Sequence, residues 1–172
     1  RRFNRLYKQE FFPIPGPFNF GNELVKVPGL NGSGKMGKSE GEGNAIFLND
    51  APKALKKKVM RAVTDAGPTE KNSPKIAAVQ NLFDLMKIVS AEDTLSHFEG
   101  LYSDASIRYG DFKKQLAEDI EIFVAPFRDK ILEIESNDEY VRKVVRRGAE
   151  QARENAQRTI KEVRQIIGIK PF

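Results

Sequence analysis

A short run near the start of the chain has the residue types to handle phosphate. Gly32-Ser33-Gly34-Lys35-Met36-Gly37-Lys38-Ser39 fits G-x-x-x-x-G-K-S at every fixed position. Two chemistries use such residues. In a P-loop, backbone N–H groups and the N-terminus of the following helix converge on the phosphate. Here the run is followed by Glu40-Gly41-Glu42-Gly43-Asn44 and preceded by Pro28-Gly29. Two glycines and two acids make a poor first helical turn, the acids would repel phosphate, and no later apolar strand ends in an Asp that could hold Mg²⁺. In the second chemistry, Lys35 and Lys38 are movable cations in a loop loosened by glycine. Both ammonium groups can swing onto a triphosphate and follow the charge that builds on a leaving pyrophosphate. A compact charge on a flexible stem suits that task.

The rest of the chain narrows the alternatives. It has 172 residues, enough for one domain or for a small domain and part of another. There is no Cys, hence no disulfide, thiolate metal site or Cys nucleophile, and His97 is the only His. The net charge of +5 makes an anionic partner plausible without naming one. No apolar run is long enough to cross a bilayer. The opening Arg1-Arg2-Phe3-Asn4-Arg5 is not a secretory signal, and Arg1 to Tyr7 reads as the tail of a helix that begins upstream.

The elements that must position the lysines fall into two regimes. From Lys8 to Asn44 the chain is rich in Gly, Pro and Phe, with no helical period; Leu24-Val25-Lys26-Val27 is its strand candidate. After Asn44 the spacing turns helical. Asp50 is placed to cap a helix with Pro52 in its first turn and Leu55, Val59, Ala62 and Val63 inward. A second helix is expected over Ala77 to Val89, with Val79, Leu82, Phe83 and Met86 inward. Ser90 with Asp93 suggests a capping box for a third, ending near Gly100. Phe112, Leu116, Ile120, Phe123, Phe127 and Ile131 mark a fourth, bent or broken at Pro126. Ser136 with Glu139 is a full capping box for a last helix of roughly 45 Å, stopped at Gly168. Its middle carries a seam of Gly148, Ala149, Ala152 and Ala156.

Lys35-Met36-Gly37-Lys38-Ser39 resembles the KMSKS signature of class I aminoacyl-tRNA synthetases, with Gly37 where the family usually has Ser. The surroundings are more specific. Val27-Pro28-Gly29-Leu30, Ala45-Ile46-Phe47-Leu48-Asn49-Asp50, Lys56-Lys57-Lys58-Val59-Met60-Arg61-Ala62-Val63-Thr64-Asp65, Arg2-Phe3-Asn4 with Phe11-Phe12-Pro13, and Gly148-Ala149-Glu150-Gln151-Ala152 look like the tryptophanyl-tRNA synthetases. The resemblance covers nearly the whole chain. It implies a mostly α fold: a helical anticodon-binding bundle attached to the C-terminal remnant of a Rossmann-type α/β catalytic domain. Residues 1–44 would be that remnant with the KMSKS-like loop, 45–136 the helical anticodon-binding domain, and 137–172 a long helix packing back toward the catalytic domain.

The resemblance also implies the chemistry. Lys35 and Lys38 would contact the phosphates of ATP, carried with Mg²⁺, supported by Met36, Gly37, Ser39 and the loop backbone, with Val27 bordering the adenine. The intact enzyme would be a cytoplasmic homodimer acting on tryptophan, ATP and tRNA(Trp), with no membrane partner. The HIGH-like motif and the amino-acid pocket of such an enzyme are not in this sequence, so the chain by itself is expected to be inactive. A tyrosyl-tRNA synthetase fragment, a stand-alone tRNA-binding module and a P-loop NTPase stand as rivals. The face of Lys53, Lys57 and Arg61, with Lys56 and Lys58 beside it, reads as solvated surface or RNA contact, as do Arg142, Lys143, Arg146, Arg147, Arg153 and Arg158. Phe11, Phe12, Phe18 and Phe20 suit packing better than base stacking. Asp65 is a turn carboxylate or a functional one, and His97 a surface residue.

Overall fold

The computed structural model describes residues 1–18, 26–32 and 34–169, and of Lys38 the backbone alone. The described residues form six α-helices and no strand: α1 Arg2–Tyr7, α2 Pro52–Met60, α3 Ala77–Val89, α4 Glu92–Ser103, α5 Tyr109–Glu135 and α6 Asp138–Ile166. Leu24 and Val25 of the strand candidate lie outside the described residues. Lys26 and Val27 form no strand, and extended pairing is limited to one antiparallel bridge between Pro28 and Lys35. None of the helices is long and apolar enough to cross a membrane. The chain divides into two compact units, Val25–Glu133 and the pair of segments Arg1–Leu24 and Ile134–Phe172.

The first unit is built on α3. Its apolar residues recur at the helical period, so Val79, Leu82, Phe83 and Met86 fall on one face and are buried. Phe83 stacks on Phe112 of α5 at 4.6 Å between ring centroids, and Tyr102 of α4 meets it edge-on at 5.8 Å. Phe98 closes the cluster against Phe112 at 5.3 Å. Leu55 and Val59 of α2 and Ala62 just beyond it add to the same core. Val63 is exposed, contrary to expectation, because α2 stops at Met60 and the helical period no longer applies. Lys75 seals one side: its Nζ pairs with Glu99 at 2.5 Å and lies 4.5 Å above the Phe83 ring.

Three expected caps are displaced. Asp50 does not cap α2, whose N-cap is Ala51. The Asp50 carboxylate accepts instead from Phe47 N, which precedes the helix, and from Lys58 Nζ (2.6 Å), a cation two turns into it. Ser90 does not cap α4, because its Oγ donates to Asp119 of α5 at 2.5 Å. The cap of α6 is Asn137, whose Oδ1 accepts from Tyr140 N at 3.0 Å, one residue beyond Ser136. At the other end Gly168, at φ +80°, stops α6, with Ile169 N donating to Arg164 O at 2.8 Å.

α5 runs through Pro126 without a break. Its inward face differs from expectation beyond Ile120. The buried residues continue at Val124 and Arg128, four apart, whereas Phe123 and Phe127 are exposed and pack on each other at 5.8 Å. Arg128 is held by Glu121 and donates to Asp50 O at 3.0 Å, and a satisfied guanidinium thus takes a place that the apolar pattern assigned to Phe127. In the second unit, Phe3, Phe11 and Phe12 cluster, and the Asn4 amide exchanges two hydrogen bonds with the Phe12 backbone. Phe20 lies outside the described residues. α6 buries no side chain among the described residues.

Candidate functional site

The lysine loop leaves the helical body at Val27 and returns at Ala45, and its two limbs are tied to each other. Met36 N donates to Val27 O at 2.8 Å, and Leu30 N donates to Asn44 O at 3.1 Å. Asn44 Oδ1 accepts from Asn31 N at 2.9 Å. Asn44 is 3% exposed, unusual for an amide between glycines and small residues. It fits because Gly29 has no side chain: a Cβ there would lie 2.4 Å from Asn44 Oδ1. Gly32 adopts φ +82° and passes so close to α3 that a Cβ would lie 2.6 Å from that of Ala78.

This base is anchored to the bundle. Leu30 is buried, and its carbonyl accepts from Val63 N at 3.0 Å. Asn81 of α3 donates to Gly29 O at 3.4 Å. Val63 is itself held from behind. Lys113 of α5 is buried and donates from Nζ to Ala62 O (2.8 Å) and Thr64 Oγ1 (3.1 Å). Burial pushes the Lys113 pKa below the ordinary lysine value, and those two oxygens are what make a buried ammonium tolerable. The Met36 side chain packs against the core and its Sδ accepts from Ile46 N.

The tip is the opposite. Lys35, Ser39, Glu40, Gly41, Glu42 and Gly43 are exposed. Gly37 is extended and starts a single 3₁₀ turn, Lys38–Glu40, which ends at Gly41 with φ +93°. Ser33 and the Lys38 side chain lie outside the described residues. Lys35 and Ser39 are thus presented to solvent on a fixed base, with Met36 pointing inward between them. Val27 is half-exposed at the root of the incoming limb.

This geometry removes the P-loop reading. No α-helix follows Ser39 until Pro52, so the loop does not run on into the helix N-terminus that a P-loop uses. What the described residues leave at the tip is an exposed lysine, Lys35, and an exposed hydroxyl, Ser39, groups of the kind that can meet an anion. Among the described residues no three His, Cys, Asp or Glu gather to hold a metal ion.

The other candidates divide into residues with structural partners and exposed ones. Asp65 Oδ1 accepts from Gly67 N (3.0 Å) and from the Tyr109 hydroxyl (2.6 Å), a turn carboxylate with a structural partner. Burial, and then the bond to Asp65, push the Tyr109 pKa far above its ordinary value of 10.0. His97 is exposed and packs edge-on to Phe98. Lys53, Lys56, Lys57 and Arg61 are exposed, whereas Lys58 is committed to Asp50. Sequence reasoning missed Asn44 and Lys113. The pairing of Gly29 with a polar residue that closes a glycine run was the signal for Asn44; nothing local marks Lys113.

Comparison with known proteins gives the chain a family. The family described as tRNA synthetases class I (W and Y) matches residues 1–125. A curated relative, the tryptophan–tRNA ligase of Porphyromonas gingivalis, is 56% identical over 99% of this chain and 51% of its own length. The crystal structure of tryptophanyl-tRNA synthetase from Campylobacter jejuni superposes with a TM-score of 0.71 at 27% identity, covering 96% of this chain and 50% of that one. A second structure of the C. jejuni enzyme, complexed with ADP and tryptophan, gives a TM-score of 0.67 at 27% identity over 86% and 45% of the two chains. The chain spans about half the length of the curated relatives it matches. With the family matched over most of its length, the chain belongs to the class I tRNA synthetases of the tryptophan and tyrosine group.

Proposed function

We propose that this chain is the C-terminal half of an ATP-dependent tryptophan–tRNA ligase and supplies its KMSKS-type loop. The observation that carries the reading is the contrast inside residues 27–45: a base fixed by buried groups, and an exposed tip bearing Lys35 and Ser39. In this reading Lys35 and Lys38 close onto the ATP phosphates. Ser39 and the backbone of Met36 and Gly37 support them, and Val27 borders the adenine. The tryptophan carboxylate attacks the α-phosphorus, the bond to pyrophosphate breaks, and the lysines stabilise the charge on the leaving group. The adenylate then passes its acyl group to the 3′ end of tRNA(Trp). Any Mg²⁺ enters on the nucleotide.

Residues 1–44 are the end of a Rossmann-type domain in this reading, 45–136 the anticodon-binding domain, and 137–172 a helix whose apolar side docks on the catalytic domain. The full enzyme is a cytoplasmic homodimer. The tryptophan name of the relatives above favours tryptophan over tyrosine, and the ADP and tryptophan bound to the C. jejuni enzyme suit the same chemistry.

Two measurements test the reading. The chain alone should give no tryptophan-dependent pyrophosphate exchange, and measurable exchange refutes the claim that it is half of a site. In the full-length ligase, Lys38→Ala should slow adenylate formation by about 100-fold while ATP affinity changes far less. Equal losses in rate and affinity would count against a transition-state role for the lysine.

A further inference from the structure

We propose that Asn44 is a positioning residue for the lysine loop, fixing the base from which Lys35 and Lys38 reach; this rests on the reading of the loop as a phosphate-handling device. Asn44 belongs to the outgoing limb but serves the incoming one. Its main-chain carbonyl takes Leu30 N, and its Oδ1 takes Asn31 N. Gly29 Cα packs directly on the amide. These contacts tie the two limbs at the neck, and the Met36 N–Val27 O bond holds the incoming limb beyond it, so the lysine stems extend from a fixed base. The neck is then tied to the bundle through Leu30 and Val63.

The Asn44 amide works through one atom. Its Nδ2 is buried and donates to nothing among the described residues. The lysine ammonium groups lie at the ends of long stems and sample many positions. Placing them on a transition state therefore depends on a fixed base, and a misplacement of about 1 Å can cost on the order of 100-fold in rate. At the neck the side-chain acceptor is Asn44 Oδ1, and the missing side chain of Gly29 makes room for it.

The test uses the full-length ligase with Lys35→Ala, Asn44→Ala, Asn44→Asp and Gly29→Ala, assayed by tryptophan-dependent pyrophosphate exchange. Asn44→Ala should lower kcat about 10-fold to 100-fold, with KM for ATP nearly unchanged. Asn44→Asp keeps the acceptor at Oδ1 and should restore much of the rate. Gly29→Ala pushes the amide out of place, so it should reproduce the loss, and the double variant should be no slower than either single one. Trypsin nicking after Lys35 in the folded protein reports the neck directly and should quicken in Asn44→Ala. If Lys35→Ala is slow but Asn44→Ala and Gly29→Ala match the wild type, the Asn44 assignment fails alone. If Lys35→Ala itself matches the wild type, the loop reading fails and takes the assignment with it. A KM rise equal to the kcat loss, or full additivity of Gly29→Ala and Asn44→Ala, also overturns the assignment.

Discussion

α5 and α6 are nearly equal in length, 27 and 29 residues, and both are amphipathic, yet α5 buries seven side chains and α6 none among the described residues. The two sequences differ in what their apolar side is made of. α5 places Phe112, Leu116, Ile120 and Val124 inward, large enough to reach across to α3 and α4. α6 carries Val141, Val144 and Val145 at one end and Ile160, Val163 and Ile166 at the other, separated by a seam of Gly148, Ala149, Ala152 and Ala156, side chains too small to build a core of their own. A stripe of that kind admits another backbone at close range. A helical period therefore tells that a helix has a face, and the sizes of the residues on it tell what kind of neighbour it needs.

The widest separation between the two helices should come from truncating each inward face. Phe112→Ala removes a ring that is fully buried between Phe83 and Phe98. It should lower unfolding stability by about 3–5 kcal/mol, read from the denaturant midpoint of this chain. Val144→Ala, at a half-exposed position on α6, should change it by less than about 0.5 kcal/mol, and the better helix propensity of Ala can even make it favourable. A loss above about 2 kcal/mol for Val144→Ala, the size expected only of core truncations, would mean that α6 has a packing partner within this chain.

How far the sequence was legible follows the same division. α3 was readable end to end, Ala77 to Val89, because Val79, Leu82, Phe83 and Met86 are large, apolar and in period, although Ala78 and Leu85 are buried beside them. α5 was readable as a helix but misread beyond Ile120, because Arg128 is buried through Glu121 and Asp50, residues 7 and 78 positions away in sequence. The caps failed for a similar reason. Asp50 and Ser90 have the right chemistry to cap, but Lys58 and Asp119 claim them. Local signals rank local partners only. In the loop, Lys35 and Lys38 stand out in the sequence by type and spacing, and the structure presents Lys35 to solvent. The neck was not legible, because Asn44 matters through a contact with Gly29 that exists only after the loop has closed.

A smaller effect should separate the helices at their ends. α6 relies on local signals, and Asn137 is the first of them. Asn137→Ala should cost about 1 kcal/mol of helix stability. In a helix with no buried side chain this should appear as fraying, a drop in helical circular dichroism at 25 °C, while the cooperative midpoint of the α3–α5 core stays put. A midpoint shift as large as the loss of a core methyl would break the distinction between a locally held and a tertiary-held helix.

The smallest effect concerns the start of α5. The Tyr109 hydroxyl donates to Asp65 at 2.6 Å, and burial together with that carboxylate raises its pKa above 10.0. The folded chain thus keeps a proton that the unfolded chain releases near pH 10. The stabilisation is complete below that pH and is lost as pH rises above it. Tyr102 is raised in the same direction, by burial first and by Asp65 second, so part of the alkaline slope belongs to it. Tyr109→Phe should therefore cost only about 0.5 kcal/mol at pH 8, the low end for a hydrogen bond because Asp65 is exposed. Between pH 9.5 and pH 11, a window of about one unit around the ordinary tyrosine value, the variant should lose stability less steeply than the wild type, so the two curves converge. Parallel curves would show that the Tyr109 proton is not linked to folding, and that this end of α5 is held by packing alone.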